Sequence, residues 1–331
     1  MKKRSQSAPL RLLFTLILNS SLFSGSETLA EIVGVWEDKA PLPTARQEVG
    51  VAVLNDLLYV VGGIDSTPAV VDTVERYDPD SKQWETVAPL PADLDHVAVV
   101  AAEDRLYAIG GLVFASPQSA TNAVFSYQPS TNRWTEESPM PTRRGGGRGA
   151  FVGGKIYVAG GIRSGGSVGD FAVFDPVSGE WETLPDMPTP RDHLAVEGWN
   201  GKVFAIAGRN PMLRSELEIY DPGTETWTSG ADIPTPRAGI ASAALLERIF
   251  VFGGEGSSRP NGIFDEVEVY NPAVDQWMSL APMPLGRHGI DAGILRGEIH
   301  IPGGGPTIGL SRTDRHDAFK PQIAASIWTL R

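Results

Sequence analysis

Apolar residues along this chain come in short runs of five to seven, alternating or continuous, and each run breaks at glycine, proline or asparagine. No helical period persists for three turns, so the pattern predicts strands. VGVAVLN, LLYVVGG, DTVERYD and KQWETVA, between residues 49 and 88, read as four strands separated by turn signals.

The same skeleton returns along the sequence. Tryptophans stand at Trp36, Trp84, Trp134, Trp181, Trp227 and Trp277, 46 to 50 residues apart. Seven residues after each comes a proline: Pro43, Pro91, Pro141, Pro188, Pro234 and Pro284. Ten residues after, five copies carry Arg46, Arg144, Arg191, Arg237 and Arg287, and Leu94 breaks the row. An apolar run then ends in paired small residues, whose second members are Gly63, Gly111, Gly161, Gly208, Gly254 and Gly304. An aromatic-x-Pro turn closes each unit, as at Tyr77 to Pro79 and Tyr270 to Pro272. Four short strands per period of about fifty residues make one propeller blade, and six copies make six. The expected fold is therefore all-β, a six-bladed β-propeller with four antiparallel strands per blade.

The recurring residues have steric reasons. Ala207 shows that the first position of the small pair accepts a methyl group, which makes the second glycine the strict one. Each tryptophan, on the outermost strand, offers roughly 150 to 250 Å² to the neighbouring blade, at most about 4 to 6 kcal/mol of burial. Closure of the ring is also legible. The turn proline precedes the blade tryptophan by five residues in five units, whereas Ser326 stands five residues after Pro321. Trp36 is left over at the other end. The economical arrangement has residues 33–39 pairing into the sixth blade, which removes an open sheet edge. Trp328, two residues out of place, is the rival for that slot.

LYVVGG, LYAIGG, IYVAGG and IFVFGG, each followed by an aromatic-x-Pro turn and a tryptophan, resemble the kelch repeat over about residues 33 to 321. The resemblance implies the propeller fold. It does not choose among functions, because the family includes adaptor domains, carbohydrate-active enzymes and exported bacterial proteins.

Residues 1–30 stand apart. Lys2, Lys3, Arg4 and Arg11 precede the apolar run LLFTLIL, and small polar residues lead to Ala30. This reads as a secretory signal cleaved near Ala30, giving a periplasmic or extracellular propeller over 31–331. The apolar run is far short of the ~20 residues a bilayer needs, so no stable membrane insertion is expected after cleavage. The formal charge is −12, and losing the basic leader makes the chain more acidic still, which disfavours nucleic acid as a partner. The chain has no cysteine. That rules out disulfides and thiolate chemistry, including the Tyr-Cys cofactor of the copper-radical galactose oxidases, which resemble this chain in blade architecture.

The candidate ligand-binding residues lie near the innermost strands. The arginine row places Arg46, Arg144, Arg191, Arg237 and Arg287 just before those strands, with Glu48, His96 and His193 two positions further on and His288 beside Arg287. Such a ring at one mouth of the channel suits carboxylates, acidic peptides or sugar hydroxyls. The competing reading makes each arginine part of blade architecture, paired with an acid or a carbonyl. Fourteen residues after the tryptophans stand four small residues and two charged ones, Arg148 and Asp291, in units that face each other across a six-membered ring. These two charges line a polar pore or touch a ligand, or else simply pair.

The GGGRG stretch at 145–149 lacks the following helix of a phosphate loop. The histidines show no metal-ligand spacing along the chain, and no metal or other cofactor is expected. No catalytic residue can be assigned. The leading expectation is an exported monomeric module that binds a protein or glycan through one channel mouth, without catalysis. The alternative is a sugar enzyme resembling the bacterial N-acetylneuraminate mutarotases and epimerases, for which Glu48, Arg191, His193 and Arg287 would supply acid and base.

Overall fold

A computed structural model describes residues 32–259 and 261–323. The leader, its cleavage point and Trp328 lie outside the described residues. Among those described, no helix is long and apolar enough to cross a membrane.

Six four-stranded antiparallel sheets follow one another. The first comprises Gly50–Leu54, Leu57–Val61, Val74–Asp78 and Gln83–Thr86, numbered from the channel outward, matching the four runs read from the sequence. The next four blades repeat this order, ending with Gln276–Ser279. In the sixth, Gly293–Leu295, Glu298–Pro302 and His316–Ile323 supply three strands, and Ile32–Asp38 supplies the outermost one. Trp36 lies opposite Phe319, the register that Tyr77 and Trp84 or Tyr270 and Trp277 hold in their own blades. The N-terminal strand therefore closes the ring.

Sheet twist and alternation leave apolar side chains on both faces of each blade, so the core is divided among the seams between blades. Six buried clusters fill the six seams: Leu94 and Val97 pack against Val61 and Val74 in one, and Val49 and Leu58 meet Leu295 across the closing seam. Five of the six outer tryptophans also pin their blade to the preceding one. Trp84, Trp134, Trp181, Trp227 and Trp277 donate from Nε1 to the carbonyls of Ala40, Ala88, Ser138, Pro185 and Ala231, at 2.7 to 2.9 Å. Trp36 Nε1 is buried without such a partner. The seam between the fifth and sixth blades, where Trp36 packs on Phe252, thus lacks a bond present in the other five.

The small-residue pairs behave as their sequence suggests. The first member has φ between 54 and 70°, a region Ala207 can enter, whereas the second has φ between 96 and 115°. Only glycine populates the latter freely. A Cβ at Gly208 would also lie 2.7 Å from the Asp192 carbonyl oxygen.

Candidate functional site at the channel mouth

The segment before each innermost strand bridges to the segment after the small-residue pair of its own blade, as Asp192 does to Arg209 and Ala238 to Glu255. These two sets of loops therefore share one face of the ring. Just inside it, the residue twelve positions after each tryptophan adopts left-handed backbone. Glu48, His96, Gly146, His193, Gly239 and Gly289 have φ between 52 and 66°. Each donates its backbone N–H to the carbonyl of the equivalent residue one blade earlier, at 2.7 to 3.1 Å, and Glu48 closes the circle on Gly289. Six blades are thus held at the mouth by a continuous ring of peptide hydrogen bonds.

The ring gathers ionisable side chains that are far apart in sequence. His96 Nε2 lies 2.9 Å from His193 Nε2 and 3.2 Å from Glu48 Oε2. Donor atoms of all three lie within 4.8 Å of one another, a set able to hold a metal ion. Chain spacing gave no sign of this, because ring closure rather than a helix or loop brings the donors together. Each histidine also directs Nδ1 at the aspartate before it, Asp95 or Asp192. Asp95 accepts the Ala115 N–H at 3.0 Å, and Asp192 accepts from Ser167 and from Arg209 Nε.

Arg209 and Glu255 complete the cluster and were not among the sequence candidates. Arg209 reaches Glu255 at 2.5 Å and His193 Nε2 at 3.0 Å. Both residues directly follow a small-residue pair, in a row that reads Ile64, Leu112, Ile162, Arg209, Glu255, Gly305. The break in an apolar row was the available signal. His288 is buried, with Nδ1 3.2 Å from Glu255 and Nε2 3.1 Å from the Thr307 carbonyl.

The electrostatics follow from these neighbours. Burial raises the Glu48 pKa, but His96, His193, His288 and Arg148 outweigh it and bring the carboxyl down to about 2. Burial disfavours a charged His96, yet Glu48 and Asp95 raise its pKa overall. At His193 burial and the Arg209 charge lower it. The pair is therefore polarised, with His96 the more basic ring.

The five repeated arginines are not part of this mouth. Arg46, Arg191, Arg237 and Arg287 are fully buried and Arg144 is 2% exposed. Arg237 donates to the carbonyls of Gly253, Thr235 and Val251 and pairs with Glu268. Arg46 pairs likewise with Glu75, Arg191 with Glu218, Arg287 with Asp317, and Arg144, less closely, with Asp170 at 3.7 Å. The ligand-binding reading of this row is corrected to blade architecture. Guanidinium groups buried against backbone and acid are closed off from a ligand at the mouth.

Behind the ring lies a channel cavity of about 350 Å³, lined by the innermost strands of all six blades. Arg148 and Asp291 meet across it at 3.9 Å, and Arg148 also donates to the Val97 and Ile290 carbonyls. Glu197 also lines this cavity and was missed by the sequence reading. It is held by Ser242 at 2.6 Å, and enclosure with nearby Asp291 pushes its carboxyl up to about 7.

The outer rim is apolar in places. Phe114, Met212, Ile308 and Leu310 are 59 to 77% exposed on loops of the mouth face. Met212, Leu213 and Ile308 wall a cleft of about 200 Å³ that also contains Arg209 and Glu255.

The six blades thus close into a ring with a charged mouth and a loop-built rim. The family model described as the KLHDC2/KLHL20/DRC7 Kelch-repeats domain matches residues 48–254 and 96–304. The chain belongs to the kelch-repeat β-propeller family. Beta-scruin of Limulus polyphemus is 28% identical over 191 residues, 55% of this chain and 21% of that protein. Kelch-like protein terF of Aspergillus terreus is 34% identical over 187 residues, 54% of this chain and 31% of that protein. The matched segment is thus under a third of either relative. The solved structure of YjhT superposes with a TM-score of 0.72 at 20% identity, covering 84% of this chain and 95% of that one, which is a likeness of fold.

Proposed function

We propose that this kelch propeller binds its partner at the loop-rimmed mouth, with apolar rim residues making contact and the charged floor fixing orientation. The family supports a protein-interaction module. The observation that carries the finer reading is the cleft in which Met212, Leu213 and Ile308 stand over Arg209 and Glu255. An apolar wall beside a few convergent polar groups is the usual form of a recognition site. A peptide with an acidic side chain next to an apolar one, or a glycan carboxylate over its ring carbons, matches that surface. Peptide and glycan arrays probed with the protein test this. Binding should fall about tenfold or more in Met212→Ala/Ile308→Ala and stay unchanged in Val177→Ala, a site outside the mouth. Equal loss in both variants, or no binder on either array, counts against the mouth.

The contacts among Glu48, His96, His193 and Arg209 favour one second reading, in which the same mouth interconverts sugar anomers with one group as acid and another as base. Proton NMR of N-acetylneuraminate anomers with and without protein decides it, and an unchanged rate removes it. We further propose, from residues 1–30, that the propeller works outside the cytoplasm. Fractionation of expressing cells, with mass determination of the mature N-terminus, tests the export and the cut near Ala30.

A further inference from the structure

We propose that Glu48, His96 and His193 form a binding site for a divalent transition-metal ion of the zinc class, held at the centre of the mouth ring with one side open.

Three independent features point there. The first is the donor set: two imidazoles and one carboxylate, all within 4.8 Å of one another. This is a composition that zinc accepts when it keeps a position for water or a ligand, whereas calcium and magnesium prefer all-oxygen cages. Ligand bonds of about 2.0 to 2.2 Å in a tetrahedron place donors about 3.3 Å apart. The separations of 2.9 Å and 3.2 Å from His96 Nε2 are within a small side-chain adjustment of that spacing.

The second feature is orientation. In both histidines Nδ1 faces a buried aspartate, leaving Nε2 directed at the shared centre. Carboxylate–imidazole pairs of this kind fix the ligating tautomer and the ring direction. With both Nδ1 atoms so engaged, two Nε2 atoms at 2.9 Å need something between them, either a proton or a cation.

The third is rigidity and charge. The ligands stand on left-handed residues locked into the closed peptide ring, so their Cα positions are preset. Glu48, Asp95, Asp192 and Glu255 surround the centre against Arg209 and Arg148, a negative excess that suits a dication. His288 Nδ1 is buried on the far side of Glu48, 3.9 Å from Oε1, and makes no well-aligned hydrogen bond. Arg209 must release His193 Nε2 when the ion enters, and it retains Glu255 and Asp192 as partners. It would then stand beside the open position, where an anionic ligand of the metal would meet it.

The test uses the propeller stripped with chelator and titrated with Zn(II) by calorimetry and with Co(II) by visible absorption. One equivalent should bind, and Co(II) should develop the intense bands of a low-coordinate nitrogen–oxygen site. His96→Ala, His193→Gln and Glu48→Gln should each weaken binding at least tenfold, and Asp192→Asn about 10- to 100-fold. His300→Phe, in the separate buried pair where His300 Nδ1 lies 2.9 Å from His316 Nε2, should leave binding unchanged. The Co(II) spectrum of the unaltered protein decides even if a variant fails to fold. No stoichiometric binding, an octahedral water-like Co(II) spectrum, or affinity unaffected by folded Glu48 and His193 variants overturns the site. None of these outcomes depends on whether a partner docks at the rim.

Discussion

Glu48, His96 and His193 hold a backbone conformation that the other three blades assign to glycine. Left-handed φ costs an L-residue about 1 kcal/mol, so three non-glycine side chains at this row are kept against a local preference. That is the residue-scale case for a functional mouth. It also yields a prediction in which loss of the carboxylate cancels: Glu48→Val should be less stable than Glu48→Gly by about 1 to 2 kcal/mol in urea unfolding, because a β-branched side chain resists positive φ. Equal stabilities would mean that the ring relaxes freely. Glu197 gives a second. Its carboxyl titrates near 7 in the fold, against 4.5 without burial. Between those values the folded chain holds a proton that the unfolded chain has released, so stability falls as pH rises from about 4.5 to about 7. Glu197→Gln, which keeps an acceptor for Ser242, should therefore raise Tm by about 2 to 4 °C at pH 8 and have almost no effect at pH 4. A shift of equal size at both pH values would assign the gain to something other than ionisation.

At the scale of the blade, the break in the arginine row has a structural partner. In four blades the acid that pairs with arginine sits two residues before the recurring aromatic, as Glu75, Glu218, Glu268 and Asp317 do. In the second blade that position is Phe125, and Leu94 and Phe125 are buried in one apolar cluster. One blade has therefore exchanged a buried ion pair for an apolar pair, which buried pairs tolerate when both partners change together. Arg237→Leu alone should cost about 3 to 5 kcal/mol because it strands Glu268, whereas Arg237→Leu with Glu268→Phe should recover at least about 2 kcal/mol of that. A double variant as unstable as the sum of the singles would refute the exchange. The same row shows what the sequence could and could not tell. Strands, blade number and the closing role of Trp36 were legible because each depends on local period and on counting. Arginine at five of six positions marks a repeat feature, but period does not say whether a side chain turns into the blade or toward the axis. The metal-competent set escaped because its members meet only after six blades close. Its trace in sequence is a row reading Glu, His, Gly, His, Gly, Gly.

For the whole ring, the closing seam carries an acid sensitivity of its own through a buried histidine pair. His316 takes a slot that Val74, Val124, Phe171, Leu217 and Val267 fill elsewhere, and it is fully buried against His300, Tyr77 and Trp84. Its Nδ1 faces the Ala40 carbonyl, and Lys39, Glu37, Glu298 and Arg287 are the charges around the pair. Burial, joined by Lys39 for His300 and by His300 for His316, brings the two rings down to about 4 and about 3. Both are neutral in the fold, whereas the unfolded chain takes up protons below about 6.5. The sign is thus opposite to that of Glu197: the seam's stability is complete above pH 6.5 and is lost as pH falls toward 4 and 3. This seam joins the N-terminal strand's blade to the first blade. Lowering pH from 7 to 4 should therefore destabilise the protein by up to roughly 6 kcal/mol through this pair. Amides of Ile32–Asp38 and His316–Ile323 should lose hydrogen-exchange protection before those of the third and fourth blades. His316→Val, which restores the residue used by three other blades, should remove most of that acid sensitivity and leave the mouth unchanged. If the acid limb persists in this variant, or if protection is lost evenly round the ring, closure is not governed by the buried histidines.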